Sequence, residues 1–126
     1  MRNEGMNFYK FKKALAKSWR KDTSYHKDAP NWTPENPALG QCAITALLFN
    51  EYFGGKIFSG ESETGVVHYW NKKFGFKIDL TKQQFDQKIK FCEVKLWERN
   101  QLLSTGNVEE RYLLLRKRFL EQYKLI

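Results

Sequence analysis

The sequence holds only two cysteines and three prolines among its 126 residues. Cys42 and Cys92 are too few for a disulfide framework, and both are expected to be reduced. No run approaches the roughly 20 apolar residues that cross a bilayer. Residues 1–13 interleave lysine with aromatics and lack the apolar stretch of a signal peptide. The expected compartment is therefore cytoplasmic, with no membrane partner. A glycine-rich phosphate loop and Gly-x-Ser-x-Gly are both missing, which leaves nucleotide hydrolysis and serine hydrolysis unsupported. Histidine is scarce too, limited to His26 and His68. Neither C-x-x-C nor H-x-x-x-H occurs. Zinc on Cys42, His68 and Asp79 is thus disfavoured, and no metal or other cofactor is expected.

What is present suits one domain over residues 1–126. Apolar residues make up 41% and aromatics 16%, enough to fill a core. The formal net charge of +8 raises nucleic acid as a partner. The basic residues are spread along the chain, however, and alternate with core-spaced apolar ones. A solvated surface explains them better than a nucleic-acid footprint.

Residues 7–20 carry Phe8, Phe11, Ala14, Leu15 and Trp19 at helical spacing, with lysines outside. Residues 22–39 form a long connection rich in turn residues, which in a small domain often packs over a site. Trp32 is placed there to lid a cleft or anchor the loop. His26, beside Tyr25 and Lys27-Asp28, reads as a surface residue. Residues 41–53 form the central helix, apolar on nearly every side and therefore buried. Gly54-Gly55 stops it. Lys56-Ile57-Phe58 predicts a short strand, and residues 66–80 predict a hairpin. Thr81 with Gln84 has the form of a capping box, predicting a short helix buried by Phe85 and Ile89. Residues 91–101 fit strand or helix. Asn107 with Glu109-Glu110 starts a last helix that buries Tyr112, Leu115, Phe119 and Tyr123, with Arg116, Lys117 and Arg118 facing out. The fold class is α+β: an N-terminal helix, a central buried helix carrying cysteine, a small antiparallel sheet and a C-terminal helix.

The chemistry-bearing residues lie on the central helix and the hairpin. Cys42 falls in the first helical turn, where unpaired N–H groups and the macrodipole favour an anion. If His68 pairs with Asp79 across the hairpin, Val67 meets Leu80 and Tyr69 meets Ile78 on an apolar side. His68 and Asp79 then share the other side, whereas a one-residue slip would set His68 against an apolar partner. A thiol at a helix start and a histidine held by a carboxylate are the parts of an activated nucleophile. Asn36 and Gln41 are candidate oxyanion donors. Trp32 and Trp70 either wall a cleft or fill the core.

Trp32-x-Pro34-x-Asn36-Pro37-x-x-Gly40-Gln41-Cys42-Ala43, His68-Tyr69-Trp70-Asn71, Ile78-Asp79-Leu80-Thr81-x-x-Gln84-Phe85, and Thr105 with Arg111-Tyr112-x-Leu114-Leu115 follow one another. Together they resemble the YunG-like family of small bacterial proteins, from about residue 8 to 120. That family has no settled function. Cysteine at a buried helix start, histidine on a strand and aspartate on the next are also similar to papain-like and transglutaminase-like enzymes. The sequence departs from papain in lacking Cys-Gly-Ser-Cys-Trp, and in having aspartate as the third member. This wider resemblance implies a cysteine-dependent hydrolase or acyltransferase acting on an amide, peptide or acyl substrate through Cys42, His68 and Asp79. The alternative is a non-catalytic binding module on the same fold, engaging an acidic protein or nucleic acid.

Overall fold

The computed structural model describes residues 5–85 and 87–126. Four helices and a four-stranded antiparallel sheet make up the regular structure among the described residues. The first helix, α1 (Phe8–Ser18), opens on Asn7, whose side chain accepts from the Lys10 N–H at 2.9 Å. It buries Phe11, Ala14 and Leu15, while Phe8 stays at the margin. Trp19 ends it and anchors the next layer by donating its indole N–H to Thr45 Oγ1 at 2.9 Å.

That next layer is α2 (Cys42–Phe53), buried continuously from Ala43 to Phe49. A surface apolar on nearly every side lets it pack on the sheet with one side and on α4 (Val108–Lys124) with another. Each large side chain so buried contributes about 1.5–3 kcal/mol. Gly54 terminates α2 at a φ of 76°.

The sheet contains β1 (Lys56–Glu61), β2 (Val67–Lys73), β3 (Phe76–Ile78) and β4 (Cys92–Trp97), in the order β3-β2-β1-β4. β1 is thus longer than Lys56-Ile57-Phe58. The expected hairpin forms, with its register displaced by two residues. Asn71 pairs with Ile78 and Lys73 with Phe76, so Phe74-Gly75 makes the turn, both at positive φ. A displacement of two leaves each side chain on its face. Asn71 accordingly turns toward α2 and donates to the Ala46 carbonyl at 2.9 Å. Ile78 and Leu80 also pack against the core.

Two local expectations are corrected and one open reading is resolved. Thr81 and Gln84 frame only a 3-10 turn, Lys82–Gln84, rather than a capped helix. The Thr81 hydroxyl and N–H are turned to Asp79, and the Gln84 amide bonds the Thr81 carbonyl and Gly40 N–H. Residues 91–101 divide into β4 and the short helix α3 (Arg99–Leu103). Two of the three cations expected to face out from α4 are bound. Arg116 pairs with Glu51 at 2.8 Å and Arg118 with Asp22 at 2.9 Å.

Residues 22–39 contain no long element. Two 3-10 turns flank the exposed His26, and Thr33 bridges Asn36. Among the described residues no helix is long and apolar enough to cross a membrane.

Candidate functional site

Cys42 opens α2 and is partly exposed; Cys92 lies exposed at the start of β4, and both are free thiols. No side chain caps the start of α2. The N–H groups of that first turn therefore stay available to an anion.

His68 sits on β2 with its side chain fully buried. Its Nε2 is 2.7 Å from Asp79 Oδ2. Asp79 follows β3 and is itself fixed, because its Oδ1 accepts from the Thr81 N–H at 3.3 Å and from the Thr81 hydroxyl at 3.5 Å. Around the imidazole lie Trp70, Phe85 and Phe91, with ring centroids at 6.1, 5.0 and 5.1 Å. This aromatic wall keeps water from the ring and strengthens its polar contacts.

Burial pushes the imidazole pKa down. The hydrogen bond to Asp79 and the hydrogen-bonding influence and charge of Cys42 push it up and prevail, raising it to about 9. Asp79 occupies Nε2, which leaves Nδ1 as the open nitrogen. Nδ1 makes no hydrogen bond among the described residues. Since the folded pKa exceeds the ordinary 6.5, the stability gained from protonation is complete below about pH 6.5 and fades as pH climbs to about 9.

Asp79 therefore holds the His68 imidazole by a direct bond, and Cys42 acts on it through hydrogen-bonding influence and charge. Nε2 is taken by Asp79 and Nδ1 has no hydrogen-bond partner among the described residues, which suits proton handling better than joint coordination of one ion. Among the described residues no three His, Cys, Asp or Glu side chains are grouped to hold a metal.

The other sequence candidates have mainly supporting contacts. Gln41 is fully buried and donates through Nε2 to the Arg20 carbonyl at 2.9 Å. Asn36 donates through Nδ2 to the Gln84 carbonyl at 3.2 Å, which leaves its second amide proton free of that bond. Trp32 donates to the Pro37 carbonyl at 2.9 Å and so anchors its own loop. Trp70 is buried, with Lys77 Nζ over its face at 4.3 Å.

Sequence reasoning assigned Thr81 to a cap and overlooked Phe85, Phe91 and Arg111 as neighbours of the site. Arg111 offered a signal: it lies on the buried face of α4 with Val108, Tyr112, Leu115 and Phe119. A cation on an apolar stripe calls for a specific partner. Thr81, Phe85 and Phe91 had no comparable signal, because their contacts with β2 follow no local period.

Comparison with known proteins agrees over nearly the whole chain. The family model described as YunG protein matches residues 7–124. A Bacillus subtilis (strain 168) protein named Uncharacterized protein YunG is 33% identical over 105 residues, covering 83% of this chain and 84% of that protein. No solved structure matches. The chain belongs to the YunG family.

Proposed function

We propose that this protein is a cysteine-dependent acyl-transfer enzyme, a hydrolase or acyltransferase, with Cys42 as nucleophile, His68 as acid and base, and Asp79 as the group that orients His68. The observation that carries this reading is the imidazole held by Asp79 at 2.7 Å, with its other ring nitrogen left without a partner among the described residues and with Cys42 acting on it through its charge. We read residues 1–126 as one domain and the fold as a compact papain-like or transglutaminase-like one. Cysteine at a helix start, then histidine on a strand, then aspartate just past the next strand support that reading.

The imidazolium favours the thiolate. The thiolate attacks the substrate carbonyl and forms a C–S bond, and the carbonyl electron pair moves onto oxygen. N–H groups at the start of α2, with the free amide proton of Asn36, stabilise that oxyanion. The tetrahedral centre collapses, the bond to the leaving group breaks, and His68 gives the leaving group its proton. Water or another acceptor then attacks the thioester. His68 removes the acceptor's proton and the thiolate is released. Throughout, Asp79 keeps Nε2 occupied and the ring in one orientation.

The two cysteines make the test internal to one molecule. Cys92 is exposed and Cys42 only partly so. Accessibility alone would make Cys92 react first. At pH 6.5, iodoacetamide labelling followed by peptide mass spectrometry is expected to modify Cys42 at least about tenfold faster than Cys92. Faster labelling of Cys92 would remove the assignment of Cys42 as nucleophile.

A further inference from the structure

Arg111 is 6% exposed and lies deep on the buried face of α4. Its Nη1 donates to the Thr23 carbonyl at 2.9 Å and to the Gly40 carbonyl at 3.4 Å, and its Nε donates to Asn107 Oδ1 at 3.1 Å. Gly40 precedes Cys42 by two residues, so these bonds tie the guanidinium to the turn that presents the thiol. Nη2 has no hydrogen-bond partner among the described residues. Nor does Arg111 form an ion pair there, whereas Arg99, Arg116 and Arg118 each meet a carboxylate. Asp28 acts on Arg111 through its charge without bonding to it.

A buried cation normally has a counter-ion. The groups that act on this one through their charge are Cys42, Tyr25, Asp28 and Tyr69, and none of them bonds to it. The guanidinium lies 6.0 Å from the Tyr25 ring centroid, and charge interactions link it to Cys42 and Tyr69. Cys42, Tyr25 and Arg111 in turn each act on Tyr69. The structure gives neither tyrosine hydroxyl a protein partner among the described residues, so one nitrogen and two hydroxyls remain without a hydrogen bond, and the nitrogen belongs to the side chain tied to the turn before Cys42.

We propose that Arg111, together with the Tyr25 and Tyr69 hydroxyls, receives a carboxylate that the substrate carries next to its scissile carbonyl. The site thereby selects anionic acyl donors. This rests on Cys42 being the nucleophile. Rigid anchoring by three bonds suits recognition, since the free nitrogen is held in place before the ligand arrives. Asp28 acts on the guanidinium only through its charge, so a carboxylate there would supply the direct ion pair that the fold leaves unmade.

The probe pair is iodoacetate and iodoacetamide, which differ in one charge. In both, sulfur displaces iodide: a C–S bond forms, the C–I bond breaks, and iodide leaves with the electron pair. The readout is the iodoacetate-to-iodoacetamide rate ratio at Cys42, divided by the same ratio at Cys92 in the same molecule. In the wild type this quotient is expected to exceed one. Arg111→Met should lower it about tenfold, the worth of one charge-assisted hydrogen bond, and the quotient is read because any loosening of the Gly40 turn slows both reagents alike. Arg111→Lys should retain part of the preference, and Tyr69→Phe should lower it by less than Arg111→Met. A wild-type quotient at or below one overturns the proposal and needs no variant. Equal slowing of both reagents by Arg111→Met and Arg111→Lys overturns it as well, and assigns Arg111 to holding the Gly40 turn. Failure of the nucleophile itself is visible separately, as a low iodoacetamide rate at Cys42.

Discussion

His68→Ala is expected to slow iodoacetamide labelling of Cys42 at pH 6.5 about 100-fold and to leave Cys92 unchanged. An ordinary thiol with pKa near 8.5 is only about 1% ionised at that pH, so losing an imidazolium partner can remove up to about two orders of magnitude. Turnover of an acyl substrate should fall further, because the leaving group also loses its proton donor, a role worth about 10²–10⁴-fold. The substitution strands the Asp79 carboxylate in a partly buried place and opens a space between Trp70, Phe85 and Phe91. Both effects destabilise. His68→Gln is therefore the companion variant, since it keeps volume and a hydrogen bond to Asp79 but cannot shuttle the proton. Unchanged Cys42 labelling in both variants, with Cys92 as reference, would show that the imidazole does not act on the thiol.

The second large effect concerns Gly40. Its φ is +75°, and a Cβ built there would lie 2.2 Å from Ser24 Oγ, 2.8 Å from Tyr25 N and 3.0 Å from Asp28 Cβ. The close approach has a purpose, because the Gly40 carbonyl accepts from the Tyr25 N–H at 2.9 Å and from Arg111. Gly40→Ala adds left-handed strain of about 1 kcal/mol and a backbone clash that only displacement of the Tyr25 turn can relieve. We expect a loss of about 3 kcal/mol, lowering Tm by about 10 °C. Gly75→Ala is the control. Its φ is +80° but no atom lies within 4 Å of the added Cβ, so only the strain should be felt. Equal melting temperatures for the two variants would contradict the close packing of the turn onto residues 24–28.

These effects trace how far the sequence could be read. α2 was legible because an apolar residue at nearly every position leaves a helix nowhere but the interior. The pairing of His68 with Asp79 was legible through parity: period-two alternation puts both on one face whichever even displacement is chosen. The register itself was misread by two, since Phe74-Gly75 makes the turn and Gly75 was the clue to a two-residue connection with positive φ. The capping signature at Thr81 failed for a competing local reason: the Asp79 carboxylate claims the Thr81 hydroxyl, and the Gln84 side chain reaches Gly40 instead. Arg111 was visible as a misplaced cation, but its partner was not. The bond to Gly40 spans 71 residues, and no local pattern encodes such a contact.

The most direct test is the titration of the His68 ring, followed by nuclear magnetic resonance in protein labelled at histidine, with His26→Gln separating the two rings. The central claim requires a midpoint near 9 in the wild type. It also requires a downward shift in both Cys42→Ser and Asp79→Asn, because each change removes a group that opposes the effect of burial. A midpoint near the ordinary 6.5, unmoved by Cys42→Ser, would mean that sulfur and imidazole do not interact and that no acyl transfer is run from this site.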